Sequence, residues 1–202
     1  AKKWEIADEE LPGLEKIKEG SIIKVKAQVT ECNGMKQLRV SRIRQTSAED
    51  HLVMKDYIKA APEEPADMYE YIYSRAEAFQ DQDLRNICIR ELTDNKEKLM
   101  YYPAAQKNHH AEMGGLLYHV KRMLMMAERA CEVYTNLNRE LVMTGVILHD
   151  MEKINEIQSN ELGVSTGYSF EGQMLGHLVQ VVRTIDRLAG DLGMPRENAV
   201  LM

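Results

Sequence analysis

From Pro65 to the end of the chain, apolar residues recur every three or four positions. That period restricts this part of the molecule to amphipathic helices packed on one another. Pro65 or Asp67 opens a helix to Phe79, with Met68, Tyr71, Ile72 and Phe79 on its apolar side. A second helix is predicted over about Leu84 to Leu92 and a third over about Asn95 to Tyr102, stopped by Pro103. The strongest pattern runs from Gly115 to Tyr134 through Leu116, Val120, Met123, Leu124, Ala127 and Cys131. Asn138 is a suitable cap for a helix carrying Leu141, Val142, Gly145, Val146, Leu148 and His149. Residues 154–169 read as a polar loop. A long helix follows, about Glu171 to Leu192, with Met174, Leu178, Val181, Val182, Ile185 and Leu188 inward, and Pro195 begins a last one.

Before residue 46 the period is two. Ile23, Val25, Ala27 and Val29 alternate with Lys24, Lys26, Gln28 and Thr30, which predicts a strand with one apolar face. Asn33-Gly34 tolerates positive φ at both positions and predicts a tight hairpin turn. Lys36 to Arg44 reads as the return strand with Leu38 and Val40 inward, and its parity slips at Arg42-Ile43, where a bulge or the strand end is expected. Two strands alone are marginal, so a larger β-domain is implied.

The net charge is −6, which excludes nucleic-acid binding through bulk charge. Between Ser21 and Thr46, however, Lys24, Lys26, Lys36, Arg39, Arg42 and Arg44 face Glu31 alone. Basic residues on a strand's outer face commonly serve solubility and discourage edge pairing. Such a cluster inside an acidic chain favours a phosphate-backbone surface. Three Cys, odd in number and widely spaced, argue against a disulfide framework and against a Cys zinc site. No apolar run approaches the ~20 residues that span a bilayer.

Three histidines, His119, His149 and His177, fall on or beside the inward faces of three successive long helices, and Asp150 follows His149 directly. Adjacent residues on a helix diverge by about 100°. Both members of the His-Asp pair reach one centre only at a helix end, where the following loop puts them. A single inward histidine is usually a hydrogen-bonded core residue. Three with a carboxylate are costly to bury without a shared purpose. Imidazole with carboxylate suits Mn, Fe, Co, Ni or Zn. One or two such ions activate a water and clamp a phosphoryl group. Lys153 is placed to offset charge as the bond breaks, although a lone lysine is more often solvated. His109 and His110 read either as surface residues or as phosphate contacts at the start of the next helix. Glu152 reads as a surface residue.

These residues resemble the HD superfamily of metal-dependent phosphohydrolases. The match narrows at Pro103-Ala104-Ala105, His109-His110, Gly115-Leu116-Leu117-Tyr118-His119, Gly145-Val146-Ile147-Leu148-His149-Asp150 and Leu175-Gly176-His177. These are similar to the YhaM-type 3′–5′ exoribonucleases, which join an OB-fold to an HD domain. The resemblance implies release of nucleotides from the 3′ end of single-stranded RNA, with DNA as an alternative, by a divalent ion, Mn²⁺ first. It implies metal ligation by His119, His149 and Asp150, by His177 in two-metal variants, and a catalytic role for Lys153 with Asp150. The family has Gly where this chain has Glu152, so a strained loop, or a further carboxylate near the metals, is expected there.

The expected architecture is mostly α: an all-helical HD domain over 66–202, preceded by a partial β, OB-fold-like segment over 1–50 and a linker over 51–65. Ligands that the family carries after the position of Met202, and the first OB strands, lie outside this sequence, so a fragment is expected. A cytoplasmic setting without membrane contact is expected, and a homo-oligomer is left open. Two other readings remain: an HD phosphohydrolase of a small nucleotide, and an RNA-binding module with a decayed metal site.

Overall fold

The structure, a computed structural model, describes residues 6, 11–17, 20–53, 56–107 and 109–202, and only the backbone of Cys32. The chain divides after Tyr57 into two compact units.

In the first unit a single turn, α1 (Leu11–Leu14), precedes a hairpin of β1 (Ile23–Cys32) and β2 (Met35–Gln45). Asn33 (φ 52°) and Gly34 (φ 74°) make the two-residue turn, both left-handed, as a type I′ turn requires. Lys26 pairs with Arg42 but Ala27 pairs with Val40, so Ser41 is an extra residue held in a bulge. The bulge lies one position before the predicted slip, and the strand continues through it to Gln45. It repairs the alternation. Lys24, Lys26 and Gln28 share one face with Arg44, Arg42 and Arg39, while Val25, Ala27 and Val29 share the other with Ile43, Val40 and Leu38. Val40 is buried as expected, whereas Leu38 is not. The hairpin is consistent with a partial OB-like segment.

The second unit is helical. It holds α2 (Pro65–Glu77), α3 (Gln82–Asp94), α4 (Lys96–Leu99), α5 (Gly115–Val133), α6 (Arg139–Leu148), α7 (Lys153–Glu156), α8 (Phe170–Asp191) and α9 (Arg196–Leu201). Asp81 caps α3 by accepting from the amides of Asp83 and Leu84, and Asn138 caps α6 by accepting from Leu141 N at 3.1 Å. The core joins α2, α3, α5, α6 and α8 through Met68, Ile72, Ile87, Leu92, Leu124, Ile147 and Leu188. Residues 58–65, expected within a linker, are tied to this unit. Met113 N donates to Lys59 O and Ala61 N donates to Met113 O.

Other expectations for the helices of this unit also differ from the structure. The segment predicted as a polar loop contains α7 and a second hairpin, β3 (Ile157–Ser159) with β4 (Ser165–Tyr168). These strands are too short to show a period. On α6 the buried residues are Met143, Thr144, Ile147 and Leu148, a set that overlaps the predicted stripe only at Leu148. The helix packs on α2, α3 and α5, so a wider face is covered. On α8, Val181, Ile185 and Leu188 are buried but Met174, Leu178 and Val182 are exposed. Leu178 and Val182 line an open groove of about 710 Å³ between α8, the end of α6 and α9, and Met174 precedes a break in α8 at Gly176.

Candidate metal centre

α6 ends at Leu148, and the next residues turn out of the helix. His149 Nδ1 donates to Val146 O at 2.8 Å, which leaves its Nε2 facing inward. That Nε2 lies 3.4 Å from Nε2 of His119 on α5 and 3.3 Å from Asp150 Oδ2. His119 Nε2 is 3.2 Å from the same oxygen. The three donor atoms therefore form a triangle with sides of 3.2–3.4 Å. Neighbouring ligands around an ion with bonds of about 2.1 Å stand at about this separation. The donor set, two imidazoles and a carboxylate, is one that divalent transition metals accept. The residues present fit such an ion.

The other Asp150 oxygen faces elsewhere: Oδ1 is 3.3 Å from His177 Nε2. Lys153 Nζ donates to Oδ2 at 2.6 Å. Burial pushes the Asp150 carboxyl up, but hydrogen bonds from His119, His149 and Lys153 outweigh it and hold it well below the usual carboxylate range. Burial likewise disfavours charge on His149, yet Asp150 outweighs it and holds the ring above its ordinary value.

Residues 116–201 match the HD domain family. Over its length the chain is similar to the 3′-5′ exoribonuclease YhaM of Halalkalibacterium halodurans, at 32% identity over 91% of this chain and 56% of that protein. It is also similar to the 3′-5′ exoribonuclease YhaM of a Geobacillus species, at 36% identity over 90% of this chain and 55% of that protein. The same protein of Oceanobacillus iheyensis is 32% identical over 90% of this chain and 56% of its own length. The chain thus spans about half the length of the curated relatives it matches. No solved structure matches it significantly. Among the described residues, no helix is long and apolar enough to cross a membrane.

The helical unit brings His119, His149, Lys153 and His177 together around Asp150. His109 and His110, ambiguous in the sequence, stand beside the centre, with ring centroids 6.2 and 5.9 Å from that of His119. Gly115 makes this possible: a Cβ there would lie 2.1 Å from His110 O. Only glycine lets the His110 loop close against the first turn of α5. His110 itself is left-handed (φ 60°), and its Nδ1 is 3.6 Å from Oε1 of the buried Glu112.

Glu152 requires a correction. It is 5% exposed rather than a surface residue. Its backbone (φ −71°, ψ −1°) is right-handed, so the loop has no need of glycine and carries no strain at this position. Its carboxylate accepts from Thr184 Oγ1 at 2.5 Å and Asn155 Nδ2 at 2.6 Å. Glu156, which the sequence did not single out, accepts from His177 Nδ1 at 2.8 Å. A glutamate six residues after Asp150 carries no periodic signal, and only the return of α8 explains its place.

In the hairpin unit, Lys24, Lys26, Arg39, Arg42 and Arg44 share a face, but Lys36 lies on the other, opposite Glu31. Among the described residues, Arg44 and Lys24 both donate to Asp50 at 2.7 Å. Those bonds hold the Asp50 carboxyl well below its usual range.

Proposed function

We propose that this chain is a metal-dependent phosphodiesterase that removes nucleotides from the 3′ end of single-stranded RNA, with single-stranded DNA as a second substrate, in the cytoplasm. The observation that carries this reading is the triangle of His119, His149 and Asp150 within an HD domain. The names of the relatives support the polymer substrate and its polarity.

In this reading His119, His149 and Asp150 Oδ2 hold one ion, and His177 with Asp150 Oδ1 holds a second. Mn²⁺ is the proposed ion, with Co²⁺, Fe²⁺, Ni²⁺ and Zn²⁺ suited to the same donors. When bound, such ions polarise the phosphoryl group and make water acidic enough to attack near neutral pH. Asp150 orients both halves of the centre because its two oxygens face different histidines. Lys153 supplies a fixed positive charge beside Asp150, suited to the charge that grows on the scissile phosphate. His109 and His110 are assigned to phosphate contact on the His119 side. The basic face of the hairpin is assigned to the strand's backbone, with Lys26, Arg39 and Arg42 as its principal cations.

The test is digestion of a 5′-labelled single-stranded RNA in Mn²⁺, with a labelled mononucleotide diester alongside. A ladder shortening from the 3′ end is expected. Cleavage of the small diester alone would replace the reading with a small-nucleotide phosphohydrolase, and RNA binding without cleavage would replace it with a binding module.

A further inference from the structure

His177 is the one imidazole at Asp150 whose helix must break to deliver it. α8 runs from Phe170 to Asp191, but Gly176 has φ 67° and ψ 164°, far from helical values. This left-handed φ is open to glycine and strained for other residues. The break falls directly before His177, so the ring's direction is not set by a continuous helix and needs another restraint.

Glu156 provides one. It ends α7, and its side chain is 14% exposed. Its Oε2 lies 2.8 Å from His177 Nδ1, while His177 Nε2 lies 3.3 Å from Asp150 Oδ1. An ionised carboxylate only accepts, so Nδ1 carries the proton. In the neutral ring, Nε2 is then left with its lone pair toward Asp150. Glu152, four residues earlier, accepts from Thr184, which stands two turns beyond His177 on α8. Side chains of the segment from 152 to 156 therefore bond α8 at Thr184 and at His177, and of the two glutamates it is Glu156 that bonds the imidazole.

We propose that Glu156 is a positioning residue, which fixes the tautomer and ring plane of His177 so that Nε2 is presented to a divalent ion beside Asp150 Oδ1. This rests on the metal reading above. Partners of this kind are worth about 10–100-fold in metal affinity where they orient a ligating histidine.

Two readouts on the full chain test it. The first is the tautomer of His177 in metal-free protein at pH 8.5, from long-range ¹⁵N–¹H spectra. The second is Mn²⁺ affinity by calorimetry. Wild type and Glu156→Gln, which keeps an acceptor oxygen, should show the Nδ1–H form and two Mn²⁺ ions. Glu156→Ala should lose that tautomer and weaken the second ion about 10–100-fold, leaving the first within about threefold. Unchanged Mn²⁺ affinity in Glu156→Ala overturns the proposal, whatever the tautomer does. Wild type that takes up no Mn²⁺, with a tautomer that still responds to Glu156→Ala, overturns the metal reading itself.

Discussion

Oδ2 of Asp150, in the turn after α6, lies 3.2 Å from Nε2 of His119 on α5, although the two residues are 31 positions apart. That oxygen also faces His149 and Lys153. The metal reading therefore concentrates on one carboxylate. Asp150→Ala should lower hydrolysis by well over 100-fold, beyond the usual cost of losing an outer partner. Mn²⁺ uptake should fall with it, while RNA affinity stays within about threefold, because the cations assigned to RNA remain. Measured cleavage in Asp150→Ala within tenfold of wild type would remove the mechanism.

The hairpin makes an unequal set of predictions. Arg39→Ala with Arg42→Ala should weaken RNA binding and flatten the log K against log salt slope by about 1 to 2. Asp50→Asn should act in the opposite direction. Lys24 and Arg44 are held by Asp50, and its neutralisation makes their charge available to phosphate. Filter binding at several salt concentrations distinguishes the two. Equal slopes in all three proteins would return the basic face to a solubility role.

Glu152→Gly should harm this chain. It removes bonds from Thr184 and Asn155 to a buried carboxylate and adds backbone freedom. The expected loss is about 2–4 kcal/mol of stability. Thr184→Val should lose about 1–3 kcal/mol, and the double variant less than the sum. Thermal melts of the four proteins complete the cycle. A higher Tm in Glu152→Gly would show that the carboxylate is not held as described.

Stability should also fall as pH rises through neutrality. Burial first, and then the charge of Glu152, push the Glu91 carboxyl from an ordinary 4.5 up to about 7. Between those values the folded chain holds the proton more firmly than the unfolded one. This group's contribution is thus complete below pH 4.5 and is lost as pH rises through about 7, up to about 3 kcal/mol. Glu91→Gln keeps the acceptor for Asn95 and should flatten that part of the profile. Unfolding in urea at pH 5, 6.5 and 8 measures it. A variant as pH-dependent as wild type would assign the slope elsewhere.

Part of the candidate centre was legible because His119 and His177 sit on long helices, where spacing reports direction. His119 could be placed inward by counting from Leu116, whereas Val142, from which His149 was counted, is not among the buried residues of α6. Asp150 followed from the helix end. Glu156 and the depth of Glu152 were not legible, because both depend on where α8 returns after a hairpin too short to leave a pattern. Leu178 and Val182 failed for another reason. Periodicity identifies an apolar stripe but not whether an element covers it, and here an open groove runs beside them. In the hairpin the alternation gave the two faces, but Asp50's hold on Lys24 and Arg44 is a contact between segments that no strand period encodes.

The bulge at Ser41 also determines where the chain can change length. Ser41 is the surplus residue in β2, so its deletion would join Val40 to Arg42 in regular alternation, and each would keep its face. Removing one residue within Gln37–Val40 instead would leave the surplus in place and carry part of the strand to the wrong side. Single-residue insertions and deletions in this ribbon should therefore be tolerated around position 41 and rejected on either side of it.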